Sequence, residues 1–126
     1  MTDRILLIVA AIGLVPIALS YGAMPSSSLG WLLGIEVETV NLSHVFRAVM
    51  GLYLVNAAFW IAGAFLPELR KPALWVLVLF MGGLAAGRAL SLVLDGMPSP
   101  ILVLYLVLEL GLAVAGIIAL RRPVAA

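Results

Sequence analysis

Long apolar runs, separated by short polar breaks, dominate the pattern of this chain. The runs cover residues 5–23, 45–66, 72–94 and 101–120. Each is close to the roughly 20 residues that an α-helix needs to cross about 30 Å of hydrocarbon. The runs lack the polar–apolar alternation of strands, and four segments are too few for a closed barrel in lipid. The pattern therefore predicts an all-α fold, a single domain (1–126) built as a bundle of four transmembrane helices.

The breaks between the runs predict three connections. The long one, residues 24–42, contains a small apolar patch with Trp31, a residue type typical of the membrane interface. Asn41 or Ser43 is expected to cap the second helix. Residues 67–72 predict a tight turn, with Pro72 in the first turn of the third helix. Residues 95–100 predict a second tight turn.

The charges outside the runs predict an orientation in the membrane. Basic residues flank the first and fourth runs and fill the connection between the second and third: Arg4, Arg70, Lys71, Arg121 and Arg122. The other two connections carry only acidic charges: Glu36, Glu38 and Asp95. Short loops rich in Lys and Arg stay in the cytoplasm, so both termini are expected to be cytoplasmic. An alternative is that the first run is a cleaved signal peptide, which would leave three spans.

Composition supports a membrane location and excludes several kinds of site. The chain is 65% hydrophobic and 10% charged, with a mean hydropathy of +1.27, whereas a soluble domain is about 25% charged. A net charge of +1 excludes an extended nucleic-acid surface. The absence of cysteine excludes disulfides and thiolate metal sites. His44 is the single histidine, so neither a metal nor another cofactor is expected.

Three charged residues interrupt the apolar runs: Arg47, Arg88 and Glu109. An ionised side chain in hydrocarbon costs roughly 2.5–3.5 kcal/mol, so a buried contact or a function is expected for such residues. Arg47, near the start of its run, is expected to reach the outer headgroups or to bond to a loop. Helical side chains lean toward the amino terminus of their helix. In the predicted orientation Arg88 therefore leans toward the membrane centre, while Glu109 leans outward from the middle of its run. The sequence predicts an ion pair between them, and leaves open whether that pair is structural or functional.

Polar side chains lie on the same helical faces as these charges and extend the predicted site. His44 shares a face with Arg47 by helical spacing, Ser91 with Arg88, and Tyr105 with Glu109. The predicted binding site, in the outer half of the bundle, comprises six residues: His44, Arg47, Arg88, Ser91, Tyr105 and Glu109.

The charges inside the runs do not balance, because two guanidiniums stand against one carboxylate. A second anion is therefore expected near Arg47 or Arg88. It could come from Glu36, Glu38 or Asp95, with Asn41 as a further loop partner, or from a bound lipid phosphate or small carboxylate, which arginine binds well.

Small and polar residues elsewhere suggest helix contacts. Gly83, Gly87 and Gly111 are expected to let helices approach closely. Asn56 is expected to bond to a neighbouring helix or to another protomer.

Three segments carry a resemblance to a known family: GIEVETVNLSHVFRAVMGLYLVNAAFW, ALWVLVLFMGGLAAGRALSLVLDGMPSP and LYLVLELGL. The chain resembles the domain of unknown function 4345 family of short bacterial four-helix integral membrane proteins. The resemblance covers nearly everything after the first run. It implies the fold and the shared charged residues, but no substrate. The expected location of the chain is the bacterial inner (cytoplasmic) membrane.

Three functions remain open at this stage. The unmatched positive charge favours binding of an anionic or amphipathic small molecule or lipid. The glycine-rich faces, with Asn56 and Gly63, suit a structural subunit of a larger membrane complex or a homo-oligomer. Glu109 could serve a small proton-coupled transporter, although an adjacent arginine stabilises its charged form. An enzyme is not indicated, since no nucleophile–base arrangement is recognisable.

Overall fold

The structure is a computed structural model that describes residues 2–122. Within that range the chain is helical and contains no strand: α1 (Asp3–Gly22), α2 (Pro25–Leu33), α3 (Val40–Phe65), α4 (Pro67–Leu94) and α5 (Pro100–Arg121). All of these except α2 are long and apolar enough to span a membrane, with mean hydropathies from 1.7 to 2.6. The all-α prediction is confirmed, and the chain is a multi-pass membrane protein.

Prolines mark where three of the helices begin. Pro25, Pro67 and Pro100 occupy the starts of α2, α4 and α5. At this position the missing N–H would have no intrahelical partner, and the fixed φ of proline already suits a helix. The long connection is therefore not simply a loop with an apolar patch, because Pro25 starts the nine-residue helix α2 within it. The exposed Trp31 belongs to α2.

The predicted tight turn at residues 67–72 is wrong. Only Leu66 lies between α3 and α4, and residues 67–72 already form the beginning of α4. Pro72 is therefore inside the helix rather than at its start, where it removes one backbone hydrogen bond. The chain reverses within one residue because Pro67 can begin a helix immediately.

Threonine caps the second span, so the prediction that Asn41 or Ser43 caps it is wrong. Thr39 has extended backbone directly before α3, and its hydroxyl oxygen accepts a bond from the Leu42 backbone N–H at 3.1 Å. Asn41 and Ser43 lie within the first turns of α3. The helix therefore starts at Val40 rather than at residue 45.

The spans form an open bundle in the order α1, α3, α4, α5. Neighbours in that order pack along much of their length, whereas α1 and α5 meet over only a few residues. Leu7, Trp60 and Leu77 are fully buried at the centre. Large apolar side chains cover the outer faces, including Val55, which is 68% exposed, as a bilayer-facing surface requires.

The two ends of the bundle differ in charge. We call the basic end the one where α1 and α4 begin and where α3 and α5 end; Arg4, Arg70, Lys71 and Arg122 lie there together. We call the acidic end the opposite one, which carries α2 and the connections that hold Glu36, Glu38 and Asp95.

The glycines at which helices approach one another closely are not the glycines that the sequence suggested. A Cβ atom on Gly63 would overlap the Cβ of Ala73, and one on Gly22 would overlap the Cβ of Met50. At Gly83, Gly87 and Gly111 an added Cβ meets nothing within 4 Å. The expected role of those three glycines within the bundle is therefore wrong.

Asn56 does not bond to a neighbouring helix in the structure. Its amide donates to the Leu52 carbonyl of the same helix at 2.7 Å.

Candidate functional site

The ion pair expected between α4 and α5 is present. Arg88 Nε donates to both carboxylate oxygens of Glu109, at 2.8 Å to Oε1 and 3.0 Å to Oε2. The two side chains are 22% and 9% exposed, respectively. The geometry follows from the antiparallel arrangement of α4 and α5, in which side chains leaning toward opposite helix starts meet at one depth.

The three tyrosines of the chain surround this ion pair. The guanidinium carbon of Arg88 lies 5.6 Å from the centre of the Tyr105 ring, within the range of a cation–π contact. Tyr21 joins this group through Tyr53, since the two rings meet edge to face at 5.7 Å. All three tyrosines are buried. Tyr105 belongs to the site predicted from the sequence, whereas Tyr21 and Tyr53 do not.

A cavity of about 180 Å³ lies beside the ion pair, between α1, α4 and α5. Arg88, Glu109, Tyr53 and Tyr105 contribute to its lining, together with Gly13 of α1. The rest of the lining is apolar and includes Val9, Ile17, Met81, Leu84, Leu108 and Leu112. The cavity lies between α1 and α5, which meet over only a few residues.

The structure does not bring all six predicted site residues together. Arg88, Tyr105 and Glu109 line the cavity, whereas His44 and Arg47 line a separate open depression at the acidic end. Ser91 is exposed, and its hydroxyl donates to Asp95 Oδ2 at 2.7 Å. Of the six, three therefore share one enclosed site.

Arg47 is held by backbone carbonyls rather than by an anion. Its Nη1 donates to the carbonyl oxygen of Gly22 at 2.8 Å and to that of Ala23 at 3.4 Å. These carbonyls belong to the end of α1, where the last carbonyls of a helix lack partners. Within residues 2–122 no carboxylate lies at ion-pair distance from Arg47. None of the loop carboxylates expected as partners pairs with Arg47 in this range, and the end of α1 binds its guanidinium instead.

Of the loop residues expected as anion partners, Glu38 lines the same depression as Arg47 but does not form an ion pair with it. Glu36 and Asn41 are exposed near the start of α3, and Asp95 accepts the bond from Ser91. In the part of the chain that the structure describes, no three His, Asp or Glu side chains are arranged to hold a metal ion.

A comparison with protein families now adds to this geometry. The model of the family described as domain of unknown function (DUF4345) matches residues 2–120, nearly the whole chain. The chain belongs to this family. No curated protein and no solved structure matches it. Because the DUF4345 family has no assigned function, the chemistry of this member has to be inferred from the site itself.

The site of this DUF4345 chain is a small group of polar side chains in an otherwise apolar cavity lining. The guanidinium offers five N–H donors, of which Nε is directed at Glu109. Tyrosine hydroxyls donate and accept hydrogen bonds. Because Arg88 and Glu109 neutralise each other, the site can bind an oxygen-bearing group without requiring a net charge on it. The arrangement places hydrogen-bond donors and acceptors beside an apolar surface.

Removal of the Arg47 side chain should weaken the junction of α1 and α3. We expect Arg47→Ala to lower the free energy of unfolding by about 1 kcal/mol, because the carbonyls of Gly22 and Ala23 lose their donor. Titration with sodium dodecyl sulfate in mild detergent measures the effect. His44→Ala, one turn earlier and exposed, is the matched control and should leave stability unchanged. Equal stability of both variants would contradict the capping role.

Proposed function

We propose that this protein binds an amphipathic small molecule or lipid beside the Arg88–Glu109 pair. The observation that carries the proposal is the cavity of about 180 Å³ that joins this pair to an otherwise apolar lining. Ligand sites are typically concave and mostly apolar, with a few polar groups that orient the ligand. An intramembrane ion pair that lines such a cavity is a candidate for that orienting role.

The size of the cavity limits how much of a ligand it encloses. An apolar cavity of roughly 150 Å³ holds a molecule the size of benzene. A cavity of about 180 Å³ therefore accommodates only part of a lipid-like molecule. The remainder would lie along the weak contact between α1 and α5, which opens toward the bilayer. This favours lateral entry from the membrane over entry from water.

The polar head of the ligand is expected to contact Arg88. Both bonds to Glu109 start from Nε, so carboxylate, phosphate or carbonyl oxygens could be recognised by the other guanidinium groups. Tyr53 and Tyr105 line the same cavity and add hydroxyl groups. The charge of Arg47 does not contribute to this site, since Arg47 lines a separate depression and does not line the cavity. At the cavity itself, the charge of Arg88 is balanced by that of Glu109. The ligand therefore need not be anionic.

The proposed location is the bacterial inner membrane, with both termini in the cytoplasm. The grouping of Arg4, Arg70, Lys71 and Arg122 at one end of the bundle supports this orientation, because loops rich in Lys and Arg remain on the cytoplasmic side. The Arg88 site would then lie in the outer half of the membrane. Its ligand would come from the outer leaflet.

A substitution that fills the cavity tests the proposal without touching the ion pair. Gly13 lines the cavity, and a Cβ on it would meet nothing within 4 Å. We expect Gly13→Leu to abolish most of the small molecule or lipid that co-purifies with the protein, since the new side chain occupies its place. Native mass spectrometry of gently solubilised protein, followed by extraction of the adduct, provides the measurement.

Gly51→Leu is the matched control for this test. Gly51 is a helical glycine with open space around its Cβ, and it does not line the cavity. The control variant should carry the same adduct as the unmodified protein. A Gly13→Leu protein that keeps its adduct in full, or an unmodified protein that carries none, would refute the proposed binding site.

The two other functions have weaker support. A transporter that binds protons at Glu109 would have to break both bonds from Arg88 in every cycle. A structural subunit could use the surface of Gly83 and Gly87, which are exposed on α4, but Gly63 is already buried against Ala73 of the same chain.

A further inference from the structure

A second recessed site lies at the basic end, away from the Arg88–Glu109 pair. The starts of α1 and α4 and the end of α5 surround a cleft of about 370 Å³ there. Four of its lining residues are cationic: Arg4, Arg70, Lys71 and Arg122. Among residues 2–122, the lining also contains one carboxylate, that of Asp3. The walls of the cleft therefore carry a marked excess of positive charge.

Asp3 does not remove this excess. Its Oδ1 atom lies 3.9 Å from Arg122 Nη2, at the long limit of an ion pair. With Asp3 paired to Arg122, the side chains of Arg4, Arg70 and Lys71 remain as positive charges around the described part of the cleft. Cations brought together in this way repel one another, and a bound anion would relieve the repulsion.

Two of the guanidiniums are held in place by contacts that do not neutralise them. Arg70 Nε donates to the Gly63 carbonyl at 3.2 Å, and Arg70 Nη2 donates to the Ala64 carbonyl at 2.8 Å. The guanidinium carbon of Arg4 lies 4.6 Å from the centre of the Phe65 ring. Carbonyls and an aromatic face position these side chains while leaving their charge in place. The cationic rim is thus ordered before an anion arrives.

The floor of the same cleft is apolar. Leu74, Ala119 and Leu120 line it, and both Leu74 and Ala119 are buried between the helices. A soluble anion would use only the rim. A molecule with an anionic head and a hydrocarbon tail would use the rim and the floor together.

We infer that the cleft binds the phosphate headgroup of an anionic phospholipid. Basic pockets between transmembrane helices recognise such headgroups through charge and hydrogen bonds to phosphate oxygens. The inference does not depend on the proposed function, because the two sites share no lining residue. It assigns to this end of the bundle a specific lipid contact in addition to its general positive charge.

Competition between two lipids with identical chains tests the inference. The protein in mild detergent is titrated with phosphatidylglycerol and with phosphatidylcholine, and the adducts are counted by native mass spectrometry. We expect a clear preference for phosphatidylglycerol. The double variant Arg4→Ser/Lys71→Ser should weaken phosphatidylglycerol binding by roughly tenfold, since each cation near the headgroup contributes to the attraction. Arg70 is kept because it bonds to the end of α3.

Arg121→Ser is the matched control, because Arg121 is an exposed cation at the same end that does not line the cleft. Arg121→Ser should prefer phosphatidylglycerol over phosphatidylcholine as strongly as the unmodified protein does. Gly13→Leu should show the same preference. Equal binding of both lipids by the unmodified protein overturns the inference, as does an equal loss in Arg121→Ser. If the double variant does not fold, Lys71→Ser alone, with an exposed side chain, replaces it.

The source of the phosphate is tested by adding inorganic phosphate to the lipid titration. Retention of the phosphatidylglycerol adduct supports a lipid site. Its complete displacement by phosphate alone overturns the lipid assignment in favour of a soluble phosphate.

Discussion

Glu109→Leu is expected to lower the free energy of unfolding by about 3–5 kcal/mol, the range observed when one partner of a buried ion pair is removed. The substitution leaves the Arg88 guanidinium without its carboxylate in a position where its side chain is only 22% exposed. Unfolding by sodium dodecyl sulfate in mild detergent, followed by tryptophan fluorescence, provides the measurement. The fully buried Trp60 contributes a signal that changes when the bundle opens.

The double variant Arg88→Met/Glu109→Leu distinguishes a broken pair from a damaged core. Replacement of both partners by apolar side chains of similar size is often neutral or even stabilising, so most of the lost stability should return. Glu36→Leu removes an exposed carboxylate as a matched control and should have little effect. A double variant as unstable as Glu109→Leu would contradict the view that the two charges act as a unit.

Gly63→Ala is expected to destabilise the protein by about 2–3 kcal/mol through overpacking. The added Cβ would overlap the Cβ of Ala73 and lie 3.1 Å from the Leu69 carbonyl oxygen. Neither atom can turn away as the end of a flexible side chain would, so α3 and α4 must separate. Separation is difficult here because Leu66 alone connects the two helices. The same detergent unfolding assay measures the loss.

Gly51→Ala is the matched control for that substitution. Gly51 lies in the same helix, and a Cβ on it meets nothing within 4 Å. Alanine favours a helix over glycine by about 0.8–1.0 kcal/mol in exposed positions, so this variant should be as stable as the unmodified protein or more so. Equal losses at Gly51 and Gly63 would show that the contact with Ala73 does not limit helix approach.

The spans could be predicted because hydrocarbon imposes a minimum length and forbids unsatisfied backbone. The Arg88–Glu109 pair could be predicted for a related reason. A charge at that depth needs a partner, and the lean of helical side chains brought these two to one level. Both features follow from rules that apply along a single helix.

Features that depend on contacts between helices could not be predicted in this way. Arg47 bonds to the end of α1, and the sequence does not reveal which helix end will lie beside it. Along the sequence Tyr21 and Tyr53 look like ordinary aromatic residues, and only packing brings Tyr53 to the cavity and Tyr21 against the ring of Tyr53. The sequence does show that the three tyrosines lie in three different spans, and this distribution could have indicated a shared site.

The hydrogen bonds from Arg70 to the carboxyl end of α3 have a consequence for the order of biosynthesis. The donors to its Gly63 and Ala64 carbonyls come from Arg70, which lies beyond the end of that helix and within the next one. When the ribosome has completed α3, the residue that stabilises its end has not yet been made. The second span acquires its final hydrogen bonds only after the third has begun to emerge, so these two spans reach their native state as a pair.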